Sequence, residues 1–298
     1  MIGSFEKLMR IFATGATGFV GSHLLPALVE AGHGVVALVH RREASLPPGV
    51  EAVRGDVLDV NSLKRAVKGC QAVIHLVGII REFPSRGITF QRLHVEATEN
   101  VVRACQEEGI SILLHMSALG ARADSRAQYH RTKFAAEELV RQSGLDYAIF
   151  RPSLILGPGS RFLLDMKRLM AFKLVGLVGG GVYRLQPVAV TDVVRAFVLA
   201  LERKELRGET WELCGPRVYT LKELLEAMAR AWGRGVVFFP LPAGPLRFMA
   251  KLLDGFSWFP VTREQLTMLE EGSVCGDDRF YSTAGLVSRD VEEVLKEV

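Results

Sequence analysis

Short apolar runs alternate with amphipathic stretches through the first half of this chain. Strands are predicted near 10–14, 35–40, 50–54, 72–77, 112–117 and 147–151, with helices between them near 18–31, 60–68, 90–108 and 128–143. Strands that are apolar throughout, with a helix between successive runs, indicate a doubly wound parallel sheet covered on both faces, an α/β fold. Pro26 falls inside the first helix, where it removes a hydrogen bond and costs about 3 kcal/mol unless a kink absorbs it. After Pro152 the rhythm loosens. Gly157-Pro158-Gly159 reads as a turn and Gly176 to Gly181 as a glycine-rich loop, and strand signals return near 183–190 and 210–214. Thr220-Leu221-Lys222-Glu223 opens a capped helix that runs to Trp232. Pro240, Pro242, Gly244 and Pro245 then punctuate the chain before an apolar helix near 245–255 and a loop carrying Phe256, Trp258, Phe259 and Pro260.

With 298 residues, 49% hydrophobic and 23% charged, the chain can bury a large core as one big α/β domain or one domain with a smaller lobe. A net charge of only +4, without long lysine or arginine blocks, gives no support to a nucleic-acid partner. Cys70, Cys105, Cys214 and Cys275 lie far apart with no C-x-x-C pair. That pattern argues against a zinc site or a disulfide scaffold and for a reducing compartment, with all four expected as buried small hydrophobes. No stretch reaches the roughly 18 apolar residues of a membrane span. Met1 to Arg10 is too short and polar for a signal peptide, so a soluble cytoplasmic protein is expected.

The chemistry concentrates at the ends of the predicted strands. Ile11-Phe12-Ala13 runs into Thr14-Gly15-Ala16-Thr17-Gly18-Phe19-Val20-Gly21, three glycines spaced by three at a strand-to-helix turn. Such a turn lets backbone N–H groups approach a dinucleotide pyrophosphate at the positive end of the following helix. Tyr129 and Lys133 form Y-x-x-x-K, one helical turn apart and on one face. A lysine ammonium beside a tyrosine hydroxyl favours phenolate and brings the group toward useful acid/base range, while the same ammonium can hold ribose hydroxyls. Ser117, after His115-Met116, closes the preceding strand, where its hydroxyl can donate to a substrate carbonyl.

Val39-His40-Arg41-Arg42 offers no acidic residue after the second strand, and a guanidinium suits a 2′-phosphate. NADP(H) is therefore favoured, with NAD(H) possible; Arg41 is the first candidate and Arg42 the next, against the alternative of an exposed basic pair. Asp56, before Val57, can accept from an adenine amino group or cap the next helix. Gly78, after Leu76-Val77, can let backbone pass close to the cofactor or serve as a turn glycine. Asn100 is expected to pin the neighbouring strand by hydrogen bonds. Arg151, Arg161 and Arg184 can meet a phosphate or sit in salt bridges.

Glycine turn, Asp56, Leu76-Val77-Gly78, Ser117 and Tyr129-x-x-x-Lys133, in this order, resemble the extended and atypical branches of the short-chain dehydrogenase/reductase superfamily. Arg151-Pro152-Ser153 followed by Gly157-Pro158 looks like the segment that those branches place beside the nicotinamide. Gln186 to Val194 matches a segment supporting the join between lobes. Together with Leu76 to Ile80 and Leu213-Cys214-Gly215-Pro216, the likeness is to the subgroup of the accessory Rossmann-type subunit of respiratory complex I. It implies a Rossmann domain over 1–155, with strands returning near 183–190, and a smaller C-terminal substrate or partner lobe over 156–298. It further implies Gly15, Gly18 and Gly21 with their neighbours at the pyrophosphate, His40, Arg41 and Arg42 at the 2′-phosphate, and Asp56 and Val57 at adenine. Tyr129 and Lys133 fall at ribose and nicotinamide, Arg151, Pro152 and Ser153 beside the nicotinamide and Ser117 at the reacting carbonyl, with Leu76, Val77, Gly78 and Met116 also among the cofactor-binding residues. The partner so implied is a small carbonyl or alcohol substrate or a larger protein complex; Phe256, Trp258 and Phe259, if exposed, suit a partner or a membrane surface.

Overall fold

The apolar runs form β1 (Arg10–Thr14), β2 (Gly34–Val39), β3 (Val50–Arg54), β4 (Ala72–His75), β5 (Ile112–Met116) and β6 (Asp146–Pro152). They are seen in a computed structural model that describes residues 8–40, 46–253 and 261–298. Between them lie α1 (Phe19–Glu30), α2 (Val60–Val67), α3 (Ala97–Glu107) and α4 (Gln128–Arg141). The chain continues through β7 (Ile155–Leu156), α5 (Arg161–Met170), β8 (Leu174–Val178), β9 (Arg184–Leu185), β10 (Val188–Ala189), α6 (Val190–Glu202) and β11 (Glu209–Leu213). After these come β12 (Tyr219–Thr220), α7 (Leu221–Ala231), β13 (Val237–Leu241), α8 (Ala243–Leu253), α9 (Arg263–Glu271) and the short helices Arg279–Ala284 and Val291–Lys296.

Seven strands form one sheet in the order β11-β6-β5-β4-β1-β2-β3, a Rossmann arrangement, with parallel pairing from β3 through β6. The order reverses between β1 and β4, so the crevice beyond their carboxyl ends is where such a sheet binds ligands. Phe12, Val36, Val73, Leu113 and Ile149 pack beneath Leu63, Val67, Val101 and Cys105. Two compact units share the chain. One gathers the segments up to Ser117, Thr132–Arg151 and Val193–Trp211; the other gathers Ala118–Arg131, Pro152–Asp192 and the chain from Glu212 onward. The second unit has its own core of Leu156, Leu163, Val175, Leu177, Leu224 and Val294, among others.

Several expectations change. The helix expected over 90–108 opens as a wide π-helical stretch, Gln91–Glu96, before α3 begins. Half of the supposed glycine loop is strand β8, and only Gly179–Gly181 makes a tight turn, at φ of 57°, 73° and 76°. The proline-marked stretch at 237–241 is strand β13, paired in parallel with β8 alone. A two-stranded ribbon leaves one edge of each strand without a ladder, which is where a proline such as Pro240 is tolerated. Pro26 sits within α1 without ending it.

Cys214 and Cys275 are joined in a disulfide, which corrects the expectation of four free thiols; Cys70 and Cys105 are free and buried. The two partners are 61 residues apart, so spacing gave no signal. Hydrogen bonds align the segments: Gln186 N–H donates to Ser273 O (2.7 Å), Cys275 N–H to Gln186 Oε1 (3.1 Å) and Gly276 N–H to Glu212 Oε2 (2.7 Å). Among the described residues no helix is long and apolar enough to cross a membrane. The segment with Phe256, Trp258, Phe259 and Pro260 lies outside the described residues.

Candidate functional site

Each glycine of the turn after β1 has its own steric reason. Gly15 adopts φ +69°, and a Cβ there would sit 2.9 Å from the Leu76 carbonyl carbon. A Cβ on Gly21 would lie 2.3 Å from the Ala16 oxygen, so the helix can seat against the turn only without one. Gly18 donates its N–H to Gly15 O (3.0 Å) and is the N-cap of α1, with no side-chain cap and no acidic residue in the first turn. Thr17 and Gly18 are exposed at the lip, Phe19 is half-buried and Val20 buried. The first N–H groups of α1 and its macrodipole are left for an anion. A pyrophosphate fits this cradle.

Thr14 closes β1 and anchors a chain of buried polar groups. Thr14 Oγ1 and His75 Nδ1 are 2.6 Å apart, and His75 Nε2 lies 3.1 Å from Thr98 Oγ1. His94, brought in by the π-helical stretch, places Nε2 3.1 Å from Ile79 N and 3.2 Å from Ile79 O, and its Nδ1 lies 2.9 Å from Thr132 Oγ1. That clips the Leu76-Val77-Gly78-Ile79 segment to α4. Burial, with a contribution from the Lys133 ammonium, holds His75 down at about 3 and His94 at about 2. His115, stacked on His75 with ring centroids 5.4 Å apart, is also held well below the ordinary imidazole value by burial. Sequence reading missed this cluster. Isolated histidines in strand and helix runs look like core residues, and only the fold brings them together.

Lys133 is buried, and its Nζ donates to Met116 O (3.0 Å) and Val77 O (3.3 Å). Gly78 makes room for it, since a Cβ there would lie 2.9 Å from Nζ. Burial pushes the ammonium down to about 8, with Glu137 one turn further on opposing the shift. Ser117 Oγ donates to Glu137 Oε1 (2.5 Å). Arg151 grips the same carboxylate with Nε (2.7 Å) and Nη2 (2.5 Å), and Arg141 Nη2 adds a bond of 2.8 Å. Arg151 is therefore occupied by a salt bridge, and the Ser117 proton by Glu137. Ser117→Ala is expected to lower stability by about 2 kcal/mol, the size of one hydrogen bond to a buried charge. A lower urea midpoint at unchanged slope would be the sign of it.

Beyond β2 and β3, His40 is exposed and its Nδ1 lies 3.9 Å from Asp56 Oδ2. Asp56 Oδ1 accepts from Leu58 N–H (2.9 Å), while Asp59, not Asp56, caps α2. Val57 O accepts from Asn100 Nδ2 (3.1 Å), so Asn100 pins the loop after β3. Arg41 and Arg42 lie outside the described residues.

In the second unit, Tyr129 stands in the first turn of α4, and its backbone N–H donates to Glu264 Oε1 (2.6 Å). Two turns along α9, Glu271 accepts from Arg126 N–H, Ser125 Oγ and His130 Nδ1, each at 2.8 Å, and pairs with Arg122 (2.9 Å). Two carboxylates of α9 thus hold the loop that delivers Tyr129. Burial pushes the Tyr129 phenol up to about 12, opposite to the expected lowering by Lys133. The Lys133 ammonium is held by the Val77 and Met116 carbonyls. Pro152 O accepts from Leu119 N–H (2.9 Å), and Ser153 Oγ lies 2.7 Å from Ser273 Oγ. Arg161 pairs with Asp165 on α5 (3.0 Å), and Arg184 is exposed.

An NAD(P)H-binding family matches residues 15–161. The chain is 31% identical to the mitochondrial NADH dehydrogenase [ubiquinone] 1 alpha subcomplex subunit 9 of Arabidopsis thaliana, over 98% of this chain and 76% of that protein. It is 32% identical to a ceramide reductase of Caulobacter vibrioides, over 82% of this chain and 77% of that protein. Among solved structures, a nucleoside-diphosphate-sugar epimerase from Staphylococcus aureus shares the fold with a TM-score of 0.79 at 20% identity, covering 97% of this chain and 100% of that one.

Proposed function

The chain belongs to the extended, atypical branch of the short-chain dehydrogenase/reductase superfamily, in the subgroup of the complex I accessory subunit, and from that premise we propose that it uses NADP(H) to reduce a carbonyl substrate or oxidise the matching alcohol. Gly15, Gly18 and Gly21 would hold the pyrophosphate, Asp56 and Val57 the adenine, and Lys133 the nicotinamide ribose. The choice of NADP(H) rests on His40-Arg41-Arg42, where no acidic residue stands to meet an adenosine 2′-hydroxyl. When bound, the reduced cofactor supplies a hydride to the carbonyl carbon.

The observation that carries this reading is the seat of Lys133 between the carbonyl of Val77, two residues past β4, and that of Met116 at the end of β5, beside a glycine that leaves it room. Two of its three N–H groups are used there, and the third is assigned to a ribose hydroxyl. Tyr129 gives its phenolic proton to the substrate oxygen as charge develops on it. A phenol held at about 12 is fully protonated at neutral pH, which suits it to the role of acid in the reductive direction. Ser117 orients the carbonyl only after its hydroxyl rotates away from Glu137. The relative named ceramide reductase makes long-chain carbonyl compounds the first substrates to try.

The test follows NADPH absorbance against a carbonyl panel, with Tyr129→Phe beside the parent. Turnover that falls about 100-fold or more in the variant is expected. Equal rates in both proteins would overturn the assignment. The relative named as a complex I subunit supports a second reading, an NADP(H)-binding subunit that docks on a larger complex without turnover. Tight NADPH binding with no consumption across the panel would favour it, and tighter binding of NADH than NADPH would remove the argument from Arg41.

A further inference from the structure

The outer face of the β8/β13 ribbon is apolar from end to end. Leu174 pairs with Val237, Gly176 with Phe239 and Val178 with Leu241. Alternation along a strand puts these positions on one face, while Val175 and Leu177 turn into the core. At the amino end that face is bare: Leu174 is 56% exposed, Val237 65%, and Phe172, just before the ribbon, 79%. Val237 N–H donates to Lys173 O (2.9 Å), which fixes Phe172-Lys173-Leu174 alongside Val237. Lys173 itself is at φ +58°, the only non-glycine residue with positive φ among those described. On α5, Leu164 and Leu169 are also exposed.

Basic residues outnumber acids in the segments that carry this face. Residues 161–178 and 230–241 contain six lysines and arginines against one acid, Asp165, whereas the whole chain has 37 against 33. Asp165 is already paired with Arg161 and Arg168 on its own helix. An exposed phenylalanine and leucine in segments rich in lysine and arginine match the boundary of an anionic bilayer. We infer that this face docks the protein on an anionic phospholipid surface. Phe172, Leu174 and Val237 enter the headgroup boundary, and Arg168, Lys173 and Arg234 meet lipid phosphates. The inference is independent of the cofactor and of turnover.

The test is co-sedimentation of the full chain with vesicles of phosphatidylcholine alone and of phosphatidylcholine mixed equally with phosphatidylglycerol. Binding is expected to the mixed vesicles, weakening as salt is raised. Lys173→Gln with Arg234→Gln should weaken it about fivefold per charge removed. Phe172→Ser with Val237→Ser should weaken it by roughly tenfold or more, at unchanged circular dichroism. No binding to the mixed vesicles, equal binding to both kinds, or binding indifferent to either pair of substitutions would overturn the inference. So would a concentration-dependent dimer dissolved by Phe172→Ser, which would give the face to a second copy of this chain.

Discussion

Gly21→Val is expected to abolish uptake of a nicotinamide dinucleotide while leaving the sheet intact. The new Cβ would stand 2.3 Å from Ala16 O and 2.7 Å from Gly15 O, and both obstacles are backbone. Neither atom can yield as the end of a flexible side chain would, so the turn must open and the N–H groups at the start of α1 lose their aim. Gly18→Ala is the informative contrast. Its Cβ would meet only Gly15 O, at 3.1 Å, and Gly18 has no positive φ, so it should fold normally and bind more weakly. Isothermal titration with NADPH and NADH reads both variants, with circular dichroism as the fold control. A Gly21→Val protein that binds within about tenfold of the parent, a difference of only about 1.4 kcal/mol, would show that the pyrophosphate is held elsewhere.

That contrast also shows where the sequence was legible. Strands β1 to β6 were readable because each is a local apolar run, and local pattern is what a single sequence displays best. The glycine spacing was equally plain, although its division of labour, with Gly15 set by φ and contact and Gly21 by contact alone, appears only in three dimensions. The rest depended on distant partners. Ser117 and Tyr129 could be named as candidates from spacing, but nothing near Ser117 pointed to Glu137 as the group its proton serves. Nothing near Tyr129 pointed to Glu264 and Glu271 on α9. The capping pair Thr262 and Gln265 did mark the start of that helix in plain residues. The Cys214–Cys275 pairing had no local mark at all, because the contact is made by segments threaded together through Gln186 and Ser273.

Acidification is expected to destabilise the protein steeply below pH 6.5, through three buried histidines rather than through carboxylates alone. In the folded state His75 is held at about 3, His94 at about 2 and His115 well below its ordinary value, so all three resist protonation as the pH falls. In the unfolded chain each takes up a proton near pH 6.5. The unfolded state therefore binds more protons as pH falls, and stability that is fully present above about pH 6.5 drains away toward pH 3. Three protons correspond to a slope of about 4 kcal/mol per pH unit, enough to exhaust a typical domain's stability within two or three units. Urea midpoints measured from pH 7.5 to 4.5 test the slope. His115→Leu separates the contributions, because neither ring nitrogen of His115 has a hydrogen-bond partner among the described residues. Removing that ring should cut the slope by about a third and raise stability at pH 7, since an unsatisfied buried polar group is replaced by an apolar one. A variant with the parent's pH slope would mean that His115 does not titrate with unfolding, and the share of the slope assigned to it here would be wrong.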